Sequence, residues 1–294
     1  MKVTVLINPA AGGIGPDGEM RMRDALGELG LGAASLVTFD HDAAAAQMRA
    51  LITDAPDLLI VWGGDGTHRT ALSTARTGFA NLLLLPGGTM NLLTKWLHGH
   101  APWHVTLRAV LAHRATRVLN AGQVGSDLFF CALLAGAPAR FAQAREDLRA
   151  GDFGRAMRDA GMAVEAAHRL HLTADAGPDA PLPAGNAVAA LVGPLSRSSR
   201  MDVASLDLPS AVAALSFAWT TLRTQSRPLD GVVLHATDSV TIVDPEGMPV
   251  PAIMDGEQVE VGARFTVSYQ PEAACCLIAA GTEPGSQPSE APRG

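Results

Sequence analysis

"DLLIVWGGDGTHRTALSTA", residues 57 to 75, decides the fold. An unbroken apolar run ends in three glycines set around one carboxylate, and a stretch of helical character follows. Continuous apolar strands of this kind belong to parallel sheets covered on both faces. A glycine-rich loop between such a strand and a helix brings backbone N–H groups close to phosphate oxygens, and the helix N-terminus adds partial positive charge. Gly63, Gly64 and Gly66 fit that role. Asp65, in their midst, would repel phosphate unless a cation lay between them, so a magnesium nucleotide is the natural partner. Taken alone, the same four residues could equally be a tight turn with an Asp cap.

The pattern occurs twice more within the first hundred residues, as "VTVLINPAAGG" at 3 to 13 and "NLLLLPGGTMN" at 81 to 91. Helical stretches, "EMRMRDALGELG" and "DAAAAQMRALITDA", lie between the runs, giving repeated strand, loop, helix, strand. The loops share the carboxyl edge of the sheet, where open α/β sheets bind ligands. Asn8, Gly12 and Gly13 form a second phosphate-facing turn, and Gly87, Gly88, Thr89 and Asn91 a third. Neither the Walker Gly-Lys-Ser/Thr run nor the dinucleotide G-x-G-x-x-G turn is present, which implies a different nucleotide fold.

Beyond "HVTLRAVLAHRATRVLN" the alternation changes. Short extended runs, "AVAALVGP", "GVVLHATDSVTIV", "AIMDGEQVEV" and "RFTVSYQ", predict an antiparallel sheet domain with helical pieces near 139 to 169 and 208 to 223. The expected architecture is α/β: an N-terminal three-layer nucleotide-binding domain over 1–118 and a β-rich, sandwich-like domain over 119–282. Residues 283–294, rich in Pro, Gly, Ser and Glu, read as a disordered tail.

With 22 basic and 29 acidic side chains the net charge is -7, so the whole-molecule field does not steer toward nucleic acid or anionic lipid. Cys131, Cys275 and Cys276 make neither a disulfide framework nor a zinc spacing and read as core thiols of a reducing compartment. The apolar N-terminal run is too short for an export signal and reads as the first strand. The apolar run at 208 to 222 is shorter than the ~20 residues a membrane-spanning helix needs.

The three loops, in this order and spacing, resemble the catalytic domain of the diacylglycerol kinase family, which includes bacterial lipid kinases, sphingosine kinases and ceramide kinases. The marks are "NPAAGG" at 8 to 13, Thr38 ahead of the second helix, "GGDGT" at 63 to 67, "PGGTMN" at 86 to 91, and "MDGEQVEV" at 254 to 261. The resemblance implies the fold shared by diacylglycerol kinases and NAD kinases. It implies ATP held by Asn8, Gly12, Gly13, Thr38, Gly63, Gly64, Asp65, Gly66, Thr67, Gly88, Thr89 and Asn91. Lys95 stands where relatives often have an arginine, and Asp65 organises Mg2+.

The resemblance also implies that the γ-phosphoryl passes to a lipid hydroxyl, with a carboxylate receiving the proton. Read as an extended segment, "DGE" sets Asp255 and Glu257 on one face. The resemblance implies Glu257 as proton acceptor and Asp255 as its close partner, with the two roles left open between them by the sequence; a hairpin turn of surface acids is the alternative. The expected location is cytoplasmic, peripheral at the inner membrane face. The partners are ATP and a lipid substrate at the membrane surface, with no nucleic acid, and a homo-oligomer stays open.

The chain departs from the family in places. Thr70 stands where many relatives have glutamate, and no Asn-Gly pair follows. His68 and Arg69 either approach phosphate or are solvated first-turn residues, and His68 reads as the second. "SRSSRMDVASLDLPS" holds Asp202 and Asp207 but no Asp-Gly, so no second, structural magnesium site is expected. Residues 208 to 227 are either an interfacial element or a core helix with a basic end. Two other functions stay open: a soluble-substrate kinase of the NAD-kinase type, and a nucleotide or lipid sensor without turnover.

Overall fold

The structure, a computed structural model, describes residues 1–137, 139, 170–178, 180–207 and 232–282. The helical piece expected near 139 to 169, apart from Ala139, the element at 208 to 227 and the tail lie outside the described residues. The chain divides into two compact units, Met1–Leu119 with the chain from Glu272 on, and Asn120–Pro271. The sequence reading assigned everything from 119 to 282 to the second domain; the contacts return the chain to the first unit at Glu272.

In the first unit, strands and helices alternate: β1 (Val3–Ile7), α1 (Gly18–Glu28), β2 (Ser35–Thr38), α2 (Ala44–Thr53), β3 (Leu58–Gly63), α3 (Asp65–Ala75), β4 (Leu82–Pro86), α4 (Leu92–His98) and α5 (Trp103–Ala112). The four strands pair in parallel in the order β2-β1-β3-β4. Every residue of β1 and β3 is buried, which explains why β3 reads as an unbroken apolar run and β1 as one interrupted only by Thr4. On one face Val5, Ile60, Trp62 and Leu85 pack with Met22 and Leu26 of α1, Leu107 and Val110 of α5, and Leu277. Helices α2 and α3 pack on each other, and α3 packs on β3 through fully buried Ala71 and Leu72. The result is the expected three-layer α/β unit.

The strand order reverses at β1. The chain leaves β1 toward β2 on one side, while β3 lies on the other. The reversal therefore lies between β1 and β3, and open α/β sheets hold ligands at the carboxyl end of the sheet at such a point.

The second unit begins within β5 (Arg114–Val124), followed by β6 (Asp127–Phe129), β7 (Ala132–Gly136), β8 (Thr173–Asp175), β9 (Ala187–Leu191), β10 (Met201–Leu206), β11 (His235–Thr237), β12 (Ser239–Val243), β13 (Val250–Met254), β14 (Glu257–Val261) and β15 (Arg264–Ala279). Two sheets form, in the orders β11-β10-β9-β7-β13-β14 and β6-β5-β15-β12-β8. One core joins them: Leu133, Val188, Val203, Ala252 and Met254 from the first sheet meet Phe129, Val240, Ile242, Phe265 and Val267 from the second. Alternate residues along each strand thus share one buried face, as in a sandwich.

Candidate active site

Backbone hydrogen bonds stitch the three loops of the first unit together. Gly13 N–H donates to Gly87 O at 2.8 Å, Gly87 N–H to Gly63 O at 2.8 Å, and Asn8 N–H to Trp62 O at 2.9 Å. The glycines permit this approach. A Cβ on Gly88 would lie 2.8 Å from Gly64 Cα, and one on Gly13 would lie 2.9 Å from Gly87 O. Several of these residues were expected to offer their backbone to phosphate. The structure gives Gly13, Gly63, Gly87 and Gly88 a second, internal reason to be glycine.

Side chains complete the stitching. Asn8 is buried; its Nδ2 donates to Thr67 Oγ1 at 2.8 Å, and its Oδ1 accepts the Ala10 N–H at 3.1 Å. Asn91, in a left-handed conformation at φ 53°, embraces Gly88: its Oδ1 accepts the Gly88 N–H at 2.8 Å and its Nδ2 donates to Gly88 O at 2.7 Å. Asn8 and Thr67 therefore hold two loops to one another, and Asn91 fixes the conformation of its own. Thr89 is exposed, and its Oγ1 lies 3.1 Å from where a Gly12 Cβ would stand. Lys95 is half-buried on α4.

Gly64 caps α3, so the N–H groups of Asp65, Gly66 and Thr67 form its first turn and have no acceptor within the helix. Asp65 sits at that turn, half-buried, and its Oδ1 accepts the Leu93 N–H at 3.4 Å. It thus faces the start of α4 as well. Beside the β1 loop opens a cavity of about 170 Å³, walled by Ile7, Pro9, Ile14, Pro16, Leu36 and Val37, with Thr38 and Glu19 supplying polar groups. Thr70 turns its hydroxyl back to Gly66 O at 3.2 Å.

His68 is not a solvated residue. It is fully buried, and its Nε2 lies 3.1 Å from Leu85 O. Burial lowers its pKa to about 4, with the neighbouring His98 lowering it further and carbonyls of Leu85 and Val61 opposing. Desolvation lowers His98 to about 4 as well. Both imidazoles are therefore neutral at pH 7, and His98 is a feature that the sequence reading missed. Cys131, Cys275 and Cys276 are buried and stand outside any disulfide, and burial pushes the Cys276 thiol up to about 12, as suits a core thiol.

The second unit holds the Asp-Gly-Glu segment, and here the extended reading is corrected. Met254 pairs with Glu257 across the antiparallel β13–β14 ladder, so Asp255 and Gly256 form a two-residue hairpin turn, with φ of 49° and 90°. Two successive positive φ values favour Asp-Gly in such a turn. The two acids consequently part: Glu257 is exposed, whereas Asp255 is buried. Asp255 Oδ2 accepts the Phe130 N–H at 2.6 Å, and its Oδ1 accepts those of Cys131 and Ala132 at 2.8 and 3.0 Å.

Asp202 is likewise buried and accepts the Ser198 N–H at 3.2 Å and the Ser196 hydroxyl at 3.1 Å. Among the described residues no group of three or more His, Cys, Asp or Glu side chains is arranged to hold a metal ion. A magnesium ion that arrives on a nucleotide needs only one or two protein carboxylates. Asp65 at the α3 N-terminus fits that requirement. No helix among the described residues is long and apolar enough to cross a membrane.

Three glycine loops at the reversal of a parallel sheet, with a carboxylate at a helix N-terminus, suit a bound nucleotide phosphate. Residues 2–124 match the family described as Diacylglycerol kinase catalytic domain. No curated protein matches the chain. Among solved structures, a diacylglycerol kinase from Bacillus anthracis str. Sterne is 15% identical, with a TM-score of 0.62, covering 95% of this chain and 97% of its own. A candidate diacylglycerol kinase from the same strain is 14% identical, with a TM-score of 0.65, covering 96% of this chain and 98% of its own. At such identity the likeness to these two kinases is one of fold, and it extends through both units.

Proposed function

We propose that the protein is an ATP-dependent lipid kinase that transfers the γ-phosphoryl group to a hydroxyl of a diacylglycerol-, sphingoid- or ceramide-like lipid. The observation that carries this reading is the α3 N-terminus: a Gly-Gly-Asp-Gly-Thr turn, within the stretch that matches the family, at the β1/β3 reversal of the sheet, with Asp65 in its first turn. The N–H groups of that turn receive the phosphates. Asp65 holds the accompanying magnesium, which neutralises charge on the phosphates. Thr38, Gly12 and Thr89 are proposed to contact the nucleotide directly, and the cavity beside Thr38, with aliphatic walls and polar groups from Thr38 and Glu19, suits a base. Asn8, Thr67 and Asn91 act by fixing the loops, and Lys95 adds positive charge near phosphate.

In the transfer the acceptor oxygen bonds to the γ-phosphorus, the bond from phosphorus to the β,γ-bridging oxygen breaks, and ADP departs. The acceptor's proton goes to the Glu257 carboxylate, the exposed acid of the hairpin. The lipid character of the acceptor rests on the family match.

Purified protein, magnesium and γ-labelled ATP are incubated with diacylglycerol, monoacylglycerol, ceramide, sphingosine and NAD. Label in an organic-phase product is expected, and it identifies the acceptor class. Label on NAD alone replaces the lipid reading with that of a soluble-substrate kinase, and ATP binding without transfer to any acceptor replaces it with a sensor.

A further inference from the structure

Asp255 makes four hydrogen bonds to one short stretch of backbone. Its carboxylate accepts the N–H groups of Phe130, Cys131 and Ala132, and its own N–H donates to Ala132 O at 2.9 Å. Three successive N–H groups converging on one point form a concave anion-binding nest, filled here by a side chain of the same unit. The stretch 130–132 is a corner in its own right: it leads into β7, and Cys131 O accepts the Val192 N–H at 2.9 Å. A Cβ on Gly193 would stand 2.7 Å from Phe130 O, so a second strand end abuts the same corner.

These contacts bear on what Asp255 can do. A carboxylate offers about four lone-pair positions, and backbone donors take three. The left-handed conformation of Asp255 is tolerated by Asp and Asn better than by other side chains. Glu257 begins the strand that leaves the turn, and its place follows from how the turn is held.

We propose that Asp255 is a positioning residue: its carboxylate pins the β13–β14 turn to the Phe130–Ala132 corner and thereby sets where Glu257 stands. Asp255 itself takes no proton from the substrate. The proposal rests on the reading of Glu257 as proton acceptor, and its test separates the two.

Asp255→Asn keeps size and turn preference but sets an NH₂ group against backbone N–H donors. Hydrogen exchange on the full chain is followed at Phe130, Cys131 and Ala132. Protection there is expected to fall about tenfold to a hundredfold, the range for losing a charged acceptor, while Glu257→Gln leaves it unchanged. In the transfer assay, Asp255→Asn lowers kcat with the KM for ATP unchanged. In a Glu257→Gln background it lowers kcat no further, because both changes act through one group.

Unchanged protection in Asp255→Asn overturns the anchor. Losses in kcat that add in the double variant overturn action through Glu257. Wild-type kcat in Glu257→Gln removes Glu257 as proton acceptor, and positioning with it, while the exchange data still judge the anchor. Should Asp255→Asn not fold, Gly256→Ala strains the same turn, at φ 90°, with the carboxylate intact. It is expected to lower kcat at unchanged KM for ATP, and unaltered kcat counts against the proposal.

Discussion

Asn8 and Thr67 stand 59 positions apart in the chain and are joined by one buried hydrogen bond of 2.8 Å. The bond ties the loop after β1 to the first turn of α3 across the reversal of strand order. Neither side chain has a solvent substitute for its partner, since both residues are more than nine-tenths buried. Removing one leaves a buried polar group unpaired, which costs about 1–3 kcal/mol.

Asn8→Ala and Thr67→Val should therefore each destabilise the fold by about that amount, and the double variant by less than the sum. Urea unfolding of the three proteins measures this. Strictly additive losses would show that the two residues do not act through their shared bond.

The glycines of the loops separate into two kinds. A Cβ on Gly88 would meet Gly64 Cα at 2.8 Å, and backbone cannot step aside cheaply; a Cβ on Gly64 would meet Gly88 Cα at an ordinary 3.5 Å. Gly88→Ala should cost about 1–3 kcal/mol of stability. Gly64→Ala should fold with a loss of no more than about 1 kcal/mol, yet weaken ATP binding, because its methyl group stands at the mouth of the α3 N-terminus. Melting temperature and ATP titration by calorimetry distinguish them. A Gly64→Ala protein that binds ATP as wild type does would remove the α3 N-terminus from the phosphate site.

Much of this was legible in the sequence. The apolar runs of β1, β3 and β4 announced a parallel sheet, because burial on both faces removes alternation. The glycine loops marked its carboxyl edge. What pattern could not supply was which partner each loop residue faces. Asn91 and Thr67 belong to a phosphate-binding motif by their position, yet the Asn91 side chain closes its own loop on Gly88 and the Thr67 side chain engages Asn8 of another. His68 follows a polar turn and so read as solvated, although it lies at a helix position that turns inward to the Leu85 carbonyl. The Asp-Gly pair is a hairpin signal by its φ requirements, but an extended reading pairs the two acids equally well on paper. Only the ladder partners of β13 decide between them.

Stability should depend on pH through the buried histidines. Burial sets the folded pKa values of His68 and His98 at about 4, below the 6.5 of the free side chain. The unfolded chain therefore binds more protons than the folded one between these values, and stability falls as pH drops. The loss begins below about pH 6.5 and levels off near pH 4, reaching about 3 kcal/mol for His68 alone. His68→Gln can still donate to Leu85 O and does not titrate, so its acid-unfolding midpoint should lie lower than that of a wild type corrected for its stability at pH 7. Trp62, fully buried on β3, reports unfolding by fluorescence. An identical pH dependence in wild type and His68→Gln would contradict the assignment.

Asp65→Asn bears most directly on the reaction. The amide oxygen of Asn can still accept the Leu93 N–H, so the junction of α3 and α4 should survive, and the melting temperature should change little. The charge is what is lost. If Asp65 holds magnesium on the phosphates, turnover should fall by about 10² or more, the scale seen when one transition-state electrostatic contact is removed. ATP binding without magnesium should be unchanged or tighter, since a carboxylate beside bare phosphates repels them. Calorimetric titration with and without magnesium, set beside the transfer rate, tests both halves. A folded Asp65→Asn protein with undiminished transfer would sink the role given to this carboxylate, whereas lost transfer with magnesium-independent ATP binding would place the ion at Asp65.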